Sequence, residues 1–301
     1  MRKVVNYMYK EILNLLRCPK CHGSLKLTAT KEENDEIIEG KLECCSDHHW
    51  LLKNGVINFG SEEQQFANNW TEFYKQTDYE SVDKEVLAKT PENLIQINSK
   101  AKNYIIDKIN NSNSRYVLDI ATGRGMLLTE MAVHLKETSR IICTDLSFEV
   151  LKYDRLKAKK INPRLRANYI ACDATNLPFN NYTVDTAVSF YGITNMATAT
   201  ADGINEAYRV LKNNHNLYNT VTIIKKDSEG FKAASSFCKE NNMSGAENFY
   251  LKPIIEKAHI AAGFSKTDII TIEESLGEKN ELDLLPYEGE WFAVSVFNCT
   301  K

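Results

Sequence analysis

Residues 115–128, RYVLDIATGRGMLL, read as a strand, a turn and the start of a helix. The apolar run Tyr116, Val117, Leu118 stops at Asp119, and Gly123 and Gly125 sit in the turn that opens into the helix. Glycines there strip the backbone of side chains so that a ligand can come close. A helix N-terminus adds unpaired N–H groups and the positive end of a dipole. The stretch is therefore a nucleoside-type site in an α/β fold, and its neighbours must say which nucleoside.

Outward from it, strand-like and helix-like segments alternate. RIICT (140–144) ends at Asp145 and is followed by the amphipathic SFEVLKYDRLKAKK, with Ser147 as its N-cap. ANYIAC (167–172) ends at Asp173; TVDTAVSF (183–190) is a strand, GINEAYRVLK (203–212) a helix and NLYNTVTII (216–224) a strand. This order predicts a doubly wound, mostly parallel α/β sheet with helices on both faces. Ligands of such sheets bind beyond the carboxyl ends of the strands, where Asp119, Asp145 and Asp173 all fall.

A nicotinamide dinucleotide wants Gly-x-Gly-x-x-Gly beneath its pyrophosphate, and Ala121-Thr-Gly123-Arg-Gly125-Met126 lacks that triplet. Asp119 would oppose a pyrophosphate but could engage the amino group of a methionine moiety. Asp145, with Leu146 beside it, lies about 20 residues past the turn, where a carboxylate accepts from ribose hydroxyls. Asp173 can accept from an exocyclic amine while the N–H of Ala174 donates to a ring nitrogen. With Ala121, Gly123 and Gly125 lining the turn, the set fits S-adenosylmethionine better than a dinucleotide.

VLDIATGRG, TDLSFEVL, CDATNLPF, VDTAVSF and EAYRVLK, in that order, resemble the successive motifs of class I methyltransferases of the ubiquinone/menaquinone-biosynthesis type. The resemblance implies a Rossmann-like, seven-stranded sheet and an S-adenosylmethionine-dependent enzyme. It assigns Asp119, Gly123 and Gly125 to the methionine part, Asp145 to ribose and Asp173 to adenine. Two departures are Ala121, where a glycine is frequent, and Lys212-Asn-Asn-His215, where the family has Pro-Gly-Gly.

The chain has 301 residues, a formal charge of −3 and eight cysteines. The weak acidity gives no general attraction to polyanions. No run is long and apolar enough to span a bilayer, and the N-terminus lacks a signal-peptide core, so a soluble, cytoplasmic protein with thiols kept for metal or burial is expected. Cys18, Cys21, Cys44 and Cys45 cluster in the first 45 residues, whereas Cys143 and Cys172 lie in strand-like runs and read as small buried hydrophobes. Cys18-Pro-Lys-Cys21 is a knuckle able to grip one tetrahedral ion. The other half comes from Cys44 with His48 or Cys45 with His49, and spacing does not separate them. Four protein ligands leave no open position, so a structural Zn2+ is expected.

CPxC, the Cys/His cluster and Trp50 leading into NGVINF resemble the zinc ribbon of bacterial large-subunit rRNA guanine-N1 methyltransferases. That resemblance implies Cys18, Cys21, Cys44 and His48 as ligands, since its histidine stands two residues before an aromatic. The organisation expected is a zinc-ribbon module (1–60), a helical connector (61–113) and a class I methyltransferase domain (114–301). Phe66, Trp70, Phe73 and Tyr74 fall on one helical face of the connector, to pack on the large domain or to act as a lid. Tyr191 and Asn195, in the loop after the fourth strand of the large domain, are the catalytic candidates. LKPIIEKAHIAAGF reads as a helix, and TDIITIEE with WFAVSVFNCT as a closing hairpin.

A small-molecule acceptor is the favoured expectation. RNA, through guanine-N1 methylation, is the alternative. A non-catalytic scaffold whose ribbon docks a partner protein is a further one.

Overall fold

The computed structural model describes residues 10–33, 36–60, 71 and 79–301. The aromatic stripe of Phe66, Trp70, Phe73 and Tyr74 lies outside the described residues. From the glycine turn's strand β5 (Tyr116–Ile120), the chain passes through α3 (Met126–His134), β6 (Arg140–Asp145), α4 (Phe148–Ile161), β7 (Ala167–Ala171) and β8 (Val184–Phe190). It continues through α5 (Thr200–Val210), β9 (Leu211–Ile224), α6 (Glu229–Glu240), α7 (Lys252–Ala262), β10 (Lys266–Leu276) and β11 (Trp291–Thr300). Before β5 come β1 (Leu25–Glu33), β2 (Glu36–Cys44), β3 (His49–Lys53), β4 (Val56–Asn58), α1 (Tyr79–Lys89) and α2 (Glu92–Asn111).

The strands from β5 onward lie in the order β7-β6-β5-β8-β9-β11-β10, all running in one direction except β11, which is antiparallel to both its neighbours. This is the expected doubly wound, seven-stranded class I methyltransferase sheet. Its central strands are buried on both faces, which is why YVLDI and ANYIA read as continuous apolar runs. Successive residues still face opposite ways. Val117 and Ile141 pack with α2, α3 and α4, whereas Leu118 and Ile142 pack with Ile204 and Ala207 of α5 and Ile255 of α7. Local signals set the helix ends: the Ser147 hydroxyl accepts from the Val150 N–H at 3.3 Å, and Gly263 closes α7 at φ 106°. Among the described residues no helix is long and apolar enough to cross a membrane.

The N-terminal segment continues the same sheet. β4 pairs in parallel with β7, Val56 opposite Tyr169 and Ile57 opposite Ile170, and β1, β2 and β3 follow as an antiparallel meander to complete eleven strands. Glu36 of β2 is 3% exposed and takes Arg155 of α4 at 2.8 Å and Lys159 on its other oxygen. Ile12, Leu16, Trp50 and Phe59 share one apolar core with Leu118, Ile142 and Phe179. One hydrophobic core therefore serves residues that a sequence reading divides into ribbon and large domain.

Candidate active site and metal cluster

The ends of β5, β6 and β7 bring Asp119, Asp145 and Asp173 around the glycine turn. Asp119 is 1% exposed; its Oδ2 accepts from the Thr122 hydroxyl at 2.5 Å, and its Oδ1 has no partner among the described residues. Burial pushes its carboxyl up to about 7, the Thr122 bond opposes the rise and the nearby Asp145 charge adds to it. Both Asp145 oxygens take backbone donors, Gly123 N–H at 2.9 Å and Ser147 N–H at 2.9 Å. Asp173 accepts from the Thr175 N–H and hydroxyl, both at 2.8 Å on one oxygen. Ala174 is buried beside it, and Leu146, which follows Asp145, is only partly covered.

Ala121 and Gly123 both have positive φ, 53° and 57°, and among the described residues a Cβ on Gly123 would meet nothing within 4 Å. Gly125, the N-cap of α3 at φ 68°, is different: a Cβ would lie 2.7 Å from Asp154 Oδ1. Asp154 on α4 is 1% exposed, has one oxygen without a partner, and is pushed up to about 8 by burial, against the pull of Lys157 at 3.5 Å. Sequence reasoning missed it, although an acid on the buried stripe Val150, Leu151, Asp154, Ala158 is the signal that marks such a residue. Asp119, Asp145 and Asp154 thus crowd one turn; Lys157 stands against Asp154, and among the described residues no partner faces Asp119 Oδ1, where a cationic ligand group fits. The Asp119 oxygen fits the ammonium of S-adenosylmethionine, whereas the backbone at Gly123 and the α3 N-terminus, the positive end of a helix dipole, fit its carboxylate.

Beyond β8 the chain turns at Tyr191, φ 64°, and Gly192 passes so close to β5 that a Cβ there would lie 2.3 Å from the Ala121 carbonyl oxygen. The Tyr191 hydroxyl donates to Asn98 Oδ1 of α2 at 2.7 Å, and its ring packs edge-on to Phe190 within a cluster holding Leu94, Ile97, Phe231, Tyr250 and Leu285. Burial drives the Tyr191 phenol far above its ordinary range, so it stays protonated at neutral pH. Asn195 is exposed, and its N–H closes the turn onto the Tyr191 carbonyl at 3.0 Å. Asn98 was not legible as a site residue: it lies on a helix paired to the loop only by packing. The loop between β10 and β11 also reaches this end of the sheet, with Leu282 against Val82, Val86 and Val150.

In the N-terminal segment the ligand atoms of Cys18, Cys21, Cys44 and His48 all lie within 4.8 Å of one another. His48 Nδ1 is 3.5 Å from Cys18 Sγ and 3.4 Å from Cys44 Sγ, and the Cys21 and Cys44 sulfurs are 3.5 Å apart. Tetrahedral zinc with ordinary bond lengths separates sulfur from nitrogen by about 3.6 Å and sulfur from sulfur by about 3.8 Å, so the group fits such an ion. His49 instead faces Glu43 at 3.3 Å, and Cys45 is exposed.

A model of the ubiE/COQ5 methyltransferase family matches residues 84–240, just over half of the chain, and a Trm112p-like model matches residues 10–51. The chain is 32% identical over 95 residues to a demethylmenaquinone methyltransferase of Porphyromonas gingivalis, covering 32% of this chain and 38% of that protein. It is 30% identical over 111 residues to the ubiquinone/menaquinone biosynthesis C-methyltransferase UbiE of Escherichia fergusonii, covering 37% and 44%. The matched stretch thus spans less than half of either relative. In fold it is similar to a phosphoethanolamine N-methyltransferase 2 of Haemonchus contortus solved with S-adenosyl-L-methionine, at a TM-score of 0.50, 18% identity, 78% of this chain and 60% of that one.

Proposed function

The chain belongs to the ubiE/COQ5 methyltransferase family, and on that premise we propose that it moves the methyl group of S-adenosylmethionine to a small-molecule acceptor with an apolar body. The observation that carries the reading is the buried Asp119 oxygen that has no partner among the described residues, at the glycine turn. S-adenosylmethionine bound there supplies a methyl group on a positively charged sulfur. Asp119 holds the amino group of the methionine part. Asp145 orients the ribose while its backbone bonds to Gly123 and Ser147 fix its carboxylate. Asp173 and the Ala174 N–H receive the adenine edge.

Methyl transfer from a sulfonium is an in-line displacement, so alignment and exclusion of water are the protein's main tasks. Leu94, Phe231, Tyr250 and Leu285 supply an apolar wall next to Tyr191. Tyr191 keeps its proton and donates it in the hydrogen bond to Asn98, so its place is that of a fixed wall, not a general base. Asn195 stands at the exposed rim. An apolar wall of this kind suits the carbon acceptors implied by the relatives' names better than a polyanion. Cys18, Cys21, Cys44 and His48 hold a structural zinc ion.

The test is transfer from radiolabelled S-adenosylmethionine into a cell extract separated into metabolite, RNA and protein fractions. Label in the metabolite fraction is expected. Label confined to RNA would replace the small-molecule reading with a nucleic-acid one, and absence of label everywhere would leave a scaffold.

A further inference from the structure

The loop after β7, which carries Asp173, is gripped from two sides. On one side Glu206 of α5 accepts from the Leu177 N–H at 2.7 Å, and Arg209, paired with Glu206, donates to the carbonyls of Leu177 at 2.9 Å and Phe179 at 2.6 Å. On the other side stands the segment entering the metal knuckle. Arg17 N–H donates to the Pro178 carbonyl at 2.9 Å, Asn180 N–H to Leu15 at 2.7 Å, and Leu16 bridges Phe179. The last tie is to the knuckle itself: Asn176 Nδ2 donates at 3.0 Å to the carbonyl of Pro19, which with Lys20 lies between Cys18 and Cys21.

Asn176 is also the far end of the turn that begins at Asp173. Its N–H donates to the Asp173 carbonyl at 3.1 Å, and the Asp173 carboxylate is held within the same turn by Thr175. A shift of the Pro19 carbonyl therefore reaches the Asp173 carboxylate through four residues. The grip from α5 is built from the half-buried Glu206–Arg209 ion pair and does not depend on the cluster. The grip from Pro19 does, because Cys18 and Cys21, on either side of that carbonyl, both belong to the cluster, and a bound ion would fix their separation.

We propose that Asn176 is a positioning residue through which the Cys18–Cys21–Cys44–His48 cluster sets affinity for the adenosine part of the cofactor. Metal in a distant ribbon and nucleoside at the sheet's end are then two ligands coupled through one turn, and by linkage each strengthens the other. The inference rests on the assignment of Asp173 to adenine.

The experiment titrates S-adenosylhomocysteine into the full-length protein by calorimetry, with Zn(II) bound and after chelation, for the wild type and Asn176→Ala. Zinc content and far-UV circular dichroism are measured on each sample. Loaded Asn176→Ala is expected to keep its zinc and bind about fivefold more weakly, the loss of roughly one neutral hydrogen bond. Chelated wild type should weaken at least as much, with no further loss when both changes are combined. The preference for S-adenosylhomocysteine over S-inosylhomocysteine should narrow in Asn176→Ala, which a side chain that only stabilised the fold would not alter.

Unchanged affinity and unchanged base preference in zinc-loaded Asn176→Ala overturn the proposal, and that arm decides alone should the chelated chain unfold. Additive losses from chelation and Asn176→Ala also overturn it. A wild type that binds no S-adenosylhomocysteine overturns instead the cofactor reading on which it rests.

Discussion

Cofactor affinity should fall steeply as pH drops through neutrality, and Asp119 is the reason. Its carboxyl stands at about 7 in the ligand-free protein because it is buried, with no partner for one oxygen among the described residues and with the Asp145 charge near it. Against an ordinary value of 3.8 that is about three units, or roughly 4 kcal/mol against the ionised form. An ammonium group bound at Asp119 needs that carboxyl ionised. Below about pH 7 binding must first remove a proton, and affinity should approach a tenfold fall per unit, about fiftyfold between pH 7 and pH 5. Calorimetry with S-adenosylhomocysteine across pH 5–8, in buffers of different ionisation enthalpy, reads both the affinity and the proton released.

Asp119→Asn should bind weakly at pH 8 and lose the slope, which separates its titration from that of Asp154, pushed up to about 8. Stability should move the opposite way. A carboxyl raised in the folded state lets that state bind the extra proton between about pH 4 and 7, so ligand-free stability declines as pH rises across this window. The Asn variant should lack that decline. A flat affinity profile in the wild type, or a variant that matches it at pH 8, would refute the assignment of a cationic group to Asp119.

Two further outcomes follow from the same coordinates. Gly123→Ala places a Cβ where no described residue stands within 4 Å, at φ 57°, and should lower unfolding free energy by about 1 kcal/mol, whereas Gly125→Ala adds a collision with Asp154 at 2.7 Å and should lose about 2–3 kcal/mol; urea denaturation that ranks them equally contradicts the packing described. His259 is fully buried, bonded to the Ile255 carbonyl at 2.7 Å and stacked on Phe297, and burial pushes it down to about 4. It is neutral when folded and takes up a proton when unfolded, so its contribution is intact above about pH 6.5 and is lost progressively between 6.5 and 4, roughly 3 kcal/mol in all. Chemical denaturation of His259→Gln against wild type at pH 7 and pH 4.5 should show the gap in stability narrowing at the lower pH, and a constant gap refutes it.

The glycine turn, the acids closing three strands and the Cys-Pro-Lys-Cys knuckle were legible in the sequence because each is a local feature. Chain spacing and periodicity alone place Asp119 beside Gly123, put Asp145 and Asp173 at strand ends, and hold two thiols on one turn. The alternation of strands and helices gave the parallel sheet for the same reason. What the tertiary structure decided are relations between residues distant in the chain. β4 lies along β7 and turns the ribbon into an extension of one sheet, Asp154 sits beneath Gly125, and Asn98 meets Tyr191. The ribbon resemblance already favoured Cys44 with His48, and the fold supplies the reason: β3 alternates in and out from His49, which sends His49 to Glu43. Such pairings depend on which faces the core buries together, a choice made by packing over the whole chain and written in no single stretch of it.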